Sequence, residues 1–114
     1  MGGRVDPVAG VDRADDRVVV HLAGELDLYN AHQVREALLA CCEEQPDRLV
    51  VDLAAVEFID STALGVLVEA RSRMNDRQAF ALAAPGAETR RALEVSGLDR
   101  HFTVRSSVEE ALAS

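Results

Sequence analysis

Lysine is absent from this chain, and arginine supplies all of its basic side chains. That absence excludes a phosphate-binding loop, whose glycine-rich turn ends in a lysine that reaches the phosphates. Tryptophan is also missing, and the aromatics amount to 3 Phe and 1 Tyr. Ala, Val and Leu must therefore fill the core that a chain of 114 residues can bury in one domain. No apolar run approaches the roughly 18 residues that a membrane span requires. The N-terminal stretch M-G-G-R-V-D-P-V-A-G-V-D-R-A-D-D holds no apolar segment of secretory-signal length. Asp6 stands where a myristoylation signal needs Ser or Thr. A cytoplasmic location is expected.

Positive charge is scarce as well. Lys and Arg total 12 against 20 Asp and Glu, a formal net charge of −8. Such a balance argues against nucleic acid or an anionic membrane as the main partner. It suits a basic protein partner, and equally a surface kept acidic for solubility. Cysteine is limited to the adjacent Cys41 and Cys42. Neighbouring helical positions diverge by about 100°, poor geometry for a mutual disulfide. Cys41 falls on the apolar face of its helix and reads as a small buried hydrophobe, with a redox-sensing thiol as the alternative. His21, His32 and His101 show no ligand spacing, so neither a metal nor a cofactor is expected.

Apolar patterning alternates strand and helix. R17-V-V-V-H-L-A23 reads as a central strand ending at Gly24. Asn30, with Gln33 three residues on, resembles a capping box for a helix to about Glu44. In that helix Ala31, Val34, Ala37, Leu38 and Cys41 recur at helical spacing. R48-L-V-V-D-L53 is the second strand, and the next helix, entered at D60-S61-T62, runs to about Met74. A79-F-A-L-A83 is a third strand, followed by a helix from about Ala87 to Val95 that ends at Gly97. H101-F-T-V-R105 is a fourth strand, and Ser106 and Ser107 with Glu109 and Glu110 cap a short last helix. P7-V-A-G-V-D12 is a weak edge-strand candidate because of its Pro and Gly. The alternation predicts a single α/β domain with a largely parallel sheet.

Enzyme templates fail. There is no G-x-G-x-x-G after a strand, no G-x-S-x-G, and no histidine spaced as a base. Two loops remain at the C-terminal ends of strands, G24-E25-L26-D27 and D60-S61-T62, the edge where parallel sheets place ligands and reacting groups. If the two strands are neighbours, Asp27, Asp60 and Ser61 share one patch. Any of Asp60, Ser61 and Thr62 can serve as an N-cap, yet one cap uses one residue and leaves a hydroxyl over. Gly65 lies inside the helix, where glycine costs about 1 kcal/mol relative to alanine; a close partner or tight packing on the sheet would each account for it. Ala63, Val66, Leu67, Ala70 and Met74 form the inward face. Leu64 and Val68 lie beside it, as second-layer core or as an apolar contact next to Ser61.

The segment F58-I-D-S-T-A-L-G-V-L67 closely resembles the signature of STAS domains of the anti-sigma factor antagonist type. G24-E-L-D27 is similar to the family's other marker, and S96-G-L98 fits its usual pattern. The likeness spans about residues 8 to 112, leaving 1–7 as an N-terminal extension. It implies a mixed, mostly parallel sheet of four to five strands with about four helices. It also implies a non-enzymatic role in partner switching that regulates sigma-factor-dependent transcription. The unmodified antagonist binds an anti-sigma factor with serine kinase activity, phosphorylation releases it, and a serine phosphatase resets it. By position, Ser61 is the implied phosphoacceptor, and Asp27, Asp60, Thr62, Leu64 and Gly65 are the implied partner-binding residues. A weak homodimer stays open.

Three rival readings share these residues. A STAS scaffold or transporter-associated subunit would share the fold without phosphorylation. A receiver domain would need an acidic pair and a distant lysine, and only Asp52 resembles its acceptor. A small hydrolase would need a base–nucleophile pair that the sequence does not display.

Overall fold

The computed structural model describes residues 6–113; residues 1–5, most of the expected extension, lie outside them. The chain begins with a hairpin, β1 (Val8–Ala14) and β2 (Arg17–Leu26), paired antiparallel. Its two-residue turn is Asp15-Asp16, with φ of 54° and 62°. Left-handed conformations at both positions match the right-handed twist of the strands. Pro7 and Gly10, which weaken the strand signal, sit where an edge strand tolerates them. Pro7 precedes the strand, and the register shifts between Val8 and Gly10.

After β2 the chain alternates α1 (Ala31–Glu43), β3 (Arg48–Ile59), α2 (Ser61–Ser72), β4 (Phe80–Ala83), α3 (Ala87–Ser96), β5 (Thr103–Arg105) and α4 (Val108–Ala113). The strands lie in the order β1-β2-β3-β4-β5, with every pair after the first parallel. The result is the expected mixed sheet of five strands with four α-helices among the described residues.

The sheet is covered unequally. On one face Val18, Val20 and Leu22 of β2 and Leu49, Val51 and Leu53 of β3 pack with α1, α2 and α3 in the main core. The opposite face is thinner: among the described residues Val19, Val50, Ala81 and Ala83 pack with α4, through Val108, Ala111 and Leu112. The inward positions expected of α2, Ala63, Val66, Leu67, Ala70 and Met74, are all buried. Cys42 is buried beside Cys41, adding to the face expected of α1. Its thiol donates to the Ala70 carbonyl at 3.2 Å. The same two helices are strapped outside by a bidentate Arg35–Glu69 pair at 2.7 and 2.8 Å. At their far ends the Gln45 side chain donates to Arg73 O and accepts from Asn75 N.

Three expectations need correction. The central strand does not end at Gly24 but continues through it to Leu26. Gly24 supplies φ of 77° where the register with β3 shifts. β3 likewise does not end at Leu53. It runs to Ile59 because the prolonged β2 gives it a partner, Leu26 opposite Ile59. Asn30 precedes α1 without a side-chain cap, since its amide is engaged elsewhere. The last helix is capped as expected: Glu110 N donates to Ser107 Oγ at 3.1 Å, and Glu110 Oε1 accepts from Ser106 N and Oγ.

Candidate functional site at the C-terminal edge of the sheet

Leu26 and Ile59 are paired across β2 and β3, so the residues that follow them, Asp27 and Asp60, emerge side by side. Asp60 N donates to Leu26 O at 3.0 Å, the last link between the two strands. The Asp60 carboxylate then divides its two oxygens. Oδ1 accepts from Ala63 N at 2.9 Å, capping α2. Oδ2 accepts from Leu28 N at 3.0 Å, in the other loop. One side chain therefore closes the helix end and ties the two motifs together.

With Asp60 as the cap, Ser61 and Thr62 occupy the first helical positions, and both are exposed. The surplus of polar residues at this helix end resolves into one structural aspartate and two hydroxyl side chains facing solvent. An anion placed on Ser61 would stand at the positive end of the helix dipole, beside the unpaired amides of a first turn.

The loop between β2 and α1 is tied down amide by amide. Asp27 N donates to Asn30 Oδ1 at 2.9 Å, and Tyr29 N donates to Asp27 Oδ1 at 3.0 Å. Asn30 N and Ala31 N both donate to Asp27 O. The buried Asn30 side chain also donates to Glu25 O at 2.8 Å. Asn30 is thus the brace of this turn, a role that its spacing to Gln33 concealed. The tip carries Leu28 and Tyr29, which are 60% and 74% exposed. Sequence reasoning passed over both; the available signal was two large apolar residues in a loop between an acidic motif and Asn30.

Along α2 the two explanations for Gly65 separate. A Cβ built there meets nothing within 4 Å, so packing on the sheet does not require glycine. Gly65 is exposed, one helical turn from Ser61 on the same stripe as the exposed Val68. Leu64 is 7% exposed and belongs to the core, the second-layer alternative for that residue. Asp27 and Asp60 are half-buried. The edge thus brings Asp27, Asp60, Ser61, Thr62 and Gly65 together, with Leu64 beneath. Among the described residues no group of three His, Cys, Asp or Glu is arranged to hold a metal ion. No helix among them is long and apolar enough to cross a membrane.

Comparison with known proteins places this geometry in a family. The model of the STAS domain matches residues 9–111. The anti-sigma-F factor antagonist RsfB of Mycobacterium tuberculosis is 35% identical over 94 residues, covering 82% of this chain and 77% of that protein. The anti-sigma-B factor antagonist of Listeria monocytogenes is 37% identical over 97 residues, covering 83% of this chain and 84% of that one. Among solved structures, the crystal structure of an anti-sigma factor antagonist from Mycobacterium paratuberculosis superposes with a TM-score of 0.84. It is 33% identical, covering 90% of this chain and 88% of that one.

Proposed function

The chain belongs to the STAS domain family, and on that footing we propose that it is an anti-sigma factor antagonist switched by phosphorylation of Ser61. Unmodified, it binds an anti-sigma factor that is also a serine kinase and so frees a sigma factor for transcription. Relatives named as anti-sigma factor antagonists, matched over most of their length, support the role. The observation that carries the Ser61 assignment is the division of labour at the α2 end. Asp60 does the capping, and the exposed Ser61 hydroxyl is left for a partner.

In the proposed cycle the Ser61 Oγ attacks the γ-phosphorus of ATP held by the kinase. The bond to the β-phosphate oxygen breaks, ADP departs, and the hydroxyl proton passes to a base on the kinase. The product carries roughly −1.5 to −2 added charges at a helix N-terminus that tolerates them. The fold therefore persists. Asp27, Asp60, Thr62 and Gly65 form the contact surface, and a phosphate on Ser61, filling the space of that contact and leaving its own charge desolvated there, ends the complex. A swing from bound to free requires only a few kcal/mol. A serine phosphatase, delivering water to the phosphorus, restores the hydroxyl. The working unit is residues 8–112, acting in the cytoplasm as phosphoryl acceptor and not as an enzyme.

The test is incubation with a cognate kinase and Mg·ATP, followed by mass spectrometry of the Ser61 peptide. Binding of wild type, Ser61→Ala and Ser61→Asp to the same kinase is measured alongside. The expected result is a phosphorylated Ser61, retained binding by Ser61→Ala and lost binding by Ser61→Asp. An unmodified Ser61 peptide in a chain that still binds would replace the switch with a scaffold.

A further inference from the structure

Leu28 and Tyr29 are held in water by a loop whose backbone amides are tied down. The amides of four consecutive residues are each engaged: Asp27 N by Asn30 Oδ1, Leu28 N by Asp60 Oδ2, Tyr29 N by Asp27 Oδ1, and Asn30 N by Asp27 O. A flexible loop would fold two such apolar side chains against the domain. This one presents them, 60% and 74% exposed, next to the residue assigned as phosphoacceptor. Phe58, 48% exposed, adds apolar surface at the same sheet edge. Acidic residues stand at the same edge: Glu57 is exposed, and Asp60 holds the tip through the Leu28 amide.

We propose that Leu28 and Tyr29 are the apolar anchor by which the anti-sigma factor kinase grips this chain, with Asp60 as the positioning residue that sets the anchor in register with Ser61. This rests on the reading of Ser61 given above and adds to it the chemistry of the partner's face, an apolar pocket rimmed by arginine or lysine. Tyrosine suits the role because it offers a large contact area with few rotatable bonds. A loop already fixed in the free state forfeits little ordering entropy on docking. The acidic surround selects a basic rim. Asp60 makes the anchor specific to this site, because the carboxylate that caps the Ser61 helix also holds the Leu28 amide.

The probes are the purified kinase-type anti-sigma factors of the organism that carries this chain, each with Mg·ATP. Initial rates of Ser61 phosphorylation are measured for wild type, Tyr29→Ala, Tyr29→Phe, Leu28→Ala and Asp60→Asn. Tyr29→Ala is expected to raise KM by roughly 10- to 30-fold, the loss typical of a truncated aromatic hot spot, while kcat changes little. Tyr29→Phe, which keeps the ring, is expected to return KM to near wild type. Asp60→Asn keeps one acceptor oxygen for the helix cap and turns an NH2 toward the Leu28 amide. It is expected to raise KM and to speed hydrogen exchange at Leu28 by about tenfold with the helix intact.

Four outcomes are decisive. Phosphorylation of wild type with no rise of KM in Tyr29→Ala overturns the anchor and leaves the switch standing. Leu28 exchange in Asp60→Asn as slow as in wild type overturns the positioning role. A wild-type dimer that Tyr29→Ala converts to monomer reassigns the anchor to a second copy of this chain. Failure of wild type to bind or be phosphorylated by any of the kinases overturns the switch and the anchor together.

Discussion

His21 Nδ1 lies 2.7 Å from Asp52 Oδ2, while the opposite ring nitrogen, Nε2, lies 2.8 Å from Asp12 Oδ2. The imidazole on β2 thus clasps carboxylates on β3 and on the edge strand β1, on the face that α4 covers only in part. These two hydrogen bonds, to Asp52 first and Asp12 second, hold the His21 pKa above its ordinary value. The recess beside it is lined by Asp12, Asp15 and Arg17, and α4 contributes only the uncharged Val108 and Leu112. A pKa raised on folding stabilises the native state fully below the unfolded value of about 6.5, and that contribution fades as pH rises through the folded pKa. Urea denaturation across this range is expected to show stability falling as His21 deprotonates, and His21→Gln is expected to remove that part of the slope. A His21 pKa at or below 6.5, read by NMR, would contradict the clasp.

Removing the cap has a predictable cost. Asp60→Ala deletes the acceptor for Ala63 N and the tie to Leu28 N together. Loss of an N-cap costs about 0.5–2 kcal/mol, and the second lost bond places this variant toward the upper end. Thermal or chemical unfolding against wild type measures it.

Ser61 itself is expected to be almost silent in stability. It is exposed and is not the cap. Ser61→Ala should change unfolding by no more than about 0.5 kcal/mol. Ser61→Asp should match or slightly exceed wild type, since an anion in the first turn is favoured by roughly 0.3–1 kcal/mol. If Ser61→Asp melts the domain, release by a surface charge is the wrong account.

Gly65→Ala separates stability from function. With nothing within 4 Å of the added Cβ, the variant should gain about 0.5–1 kcal/mol from helix propensity. Its affinity for the anti-sigma factor should nevertheless fall if the bare backbone receives a close partner. A gain in both would remove Gly65 from the contact surface.

The paired thiols should be inert in the native state. Both are 1% exposed. Burial raises the Cys41 pKa, and burial followed by the neighbouring Cys41 raises that of Cys42 to about 11. Thiolate is the reactive form. Neither cysteine should therefore react with a thiol reagent until denaturant is added, when both should. Prompt labelling of the folded protein would revive a redox role.

Much of the fold was legible because its signals are local. The valine run of β2, the apolar spacing of α1 and α2, the left-handed stop at Gly97, where φ is 78°, and the Ser107–Glu110 cap each reside within a few neighbouring residues. What escaped depends on pairing between distant segments. Ala54, Ala55, Glu57 and Phe58 are exposed and break strand alternation, so only the prolonged β2 makes β3 continue to Ile59. The β1–β2 turn is Asp15-Asp16 and lacks the glycine that announces such a hairpin. In the candidate site, both acidic loops could be named from sequence. The splitting of the Asp60 carboxylate between them could not, because it rests on adjacency of β2 and β3, nor could the bracing by Asn30, whose side chain serves the turn where its spacing to Gln33 suggested a cap.

The straps joining α1 to α2, Arg35 to Glu69, Cys42 to Ala70 and Gln45 to Arg73 and Asn75, have a kinetic consequence. They tie the helix that carries Ser61 to the helix behind the Leu28–Tyr29 loop. A surface that needs no rearrangement before docking associates at a rate set by encounter and charge. Changes at such a surface appear chiefly in how long the complex lasts. Modification of Ser61 should therefore act chiefly on residence time, shortening the life of each complex.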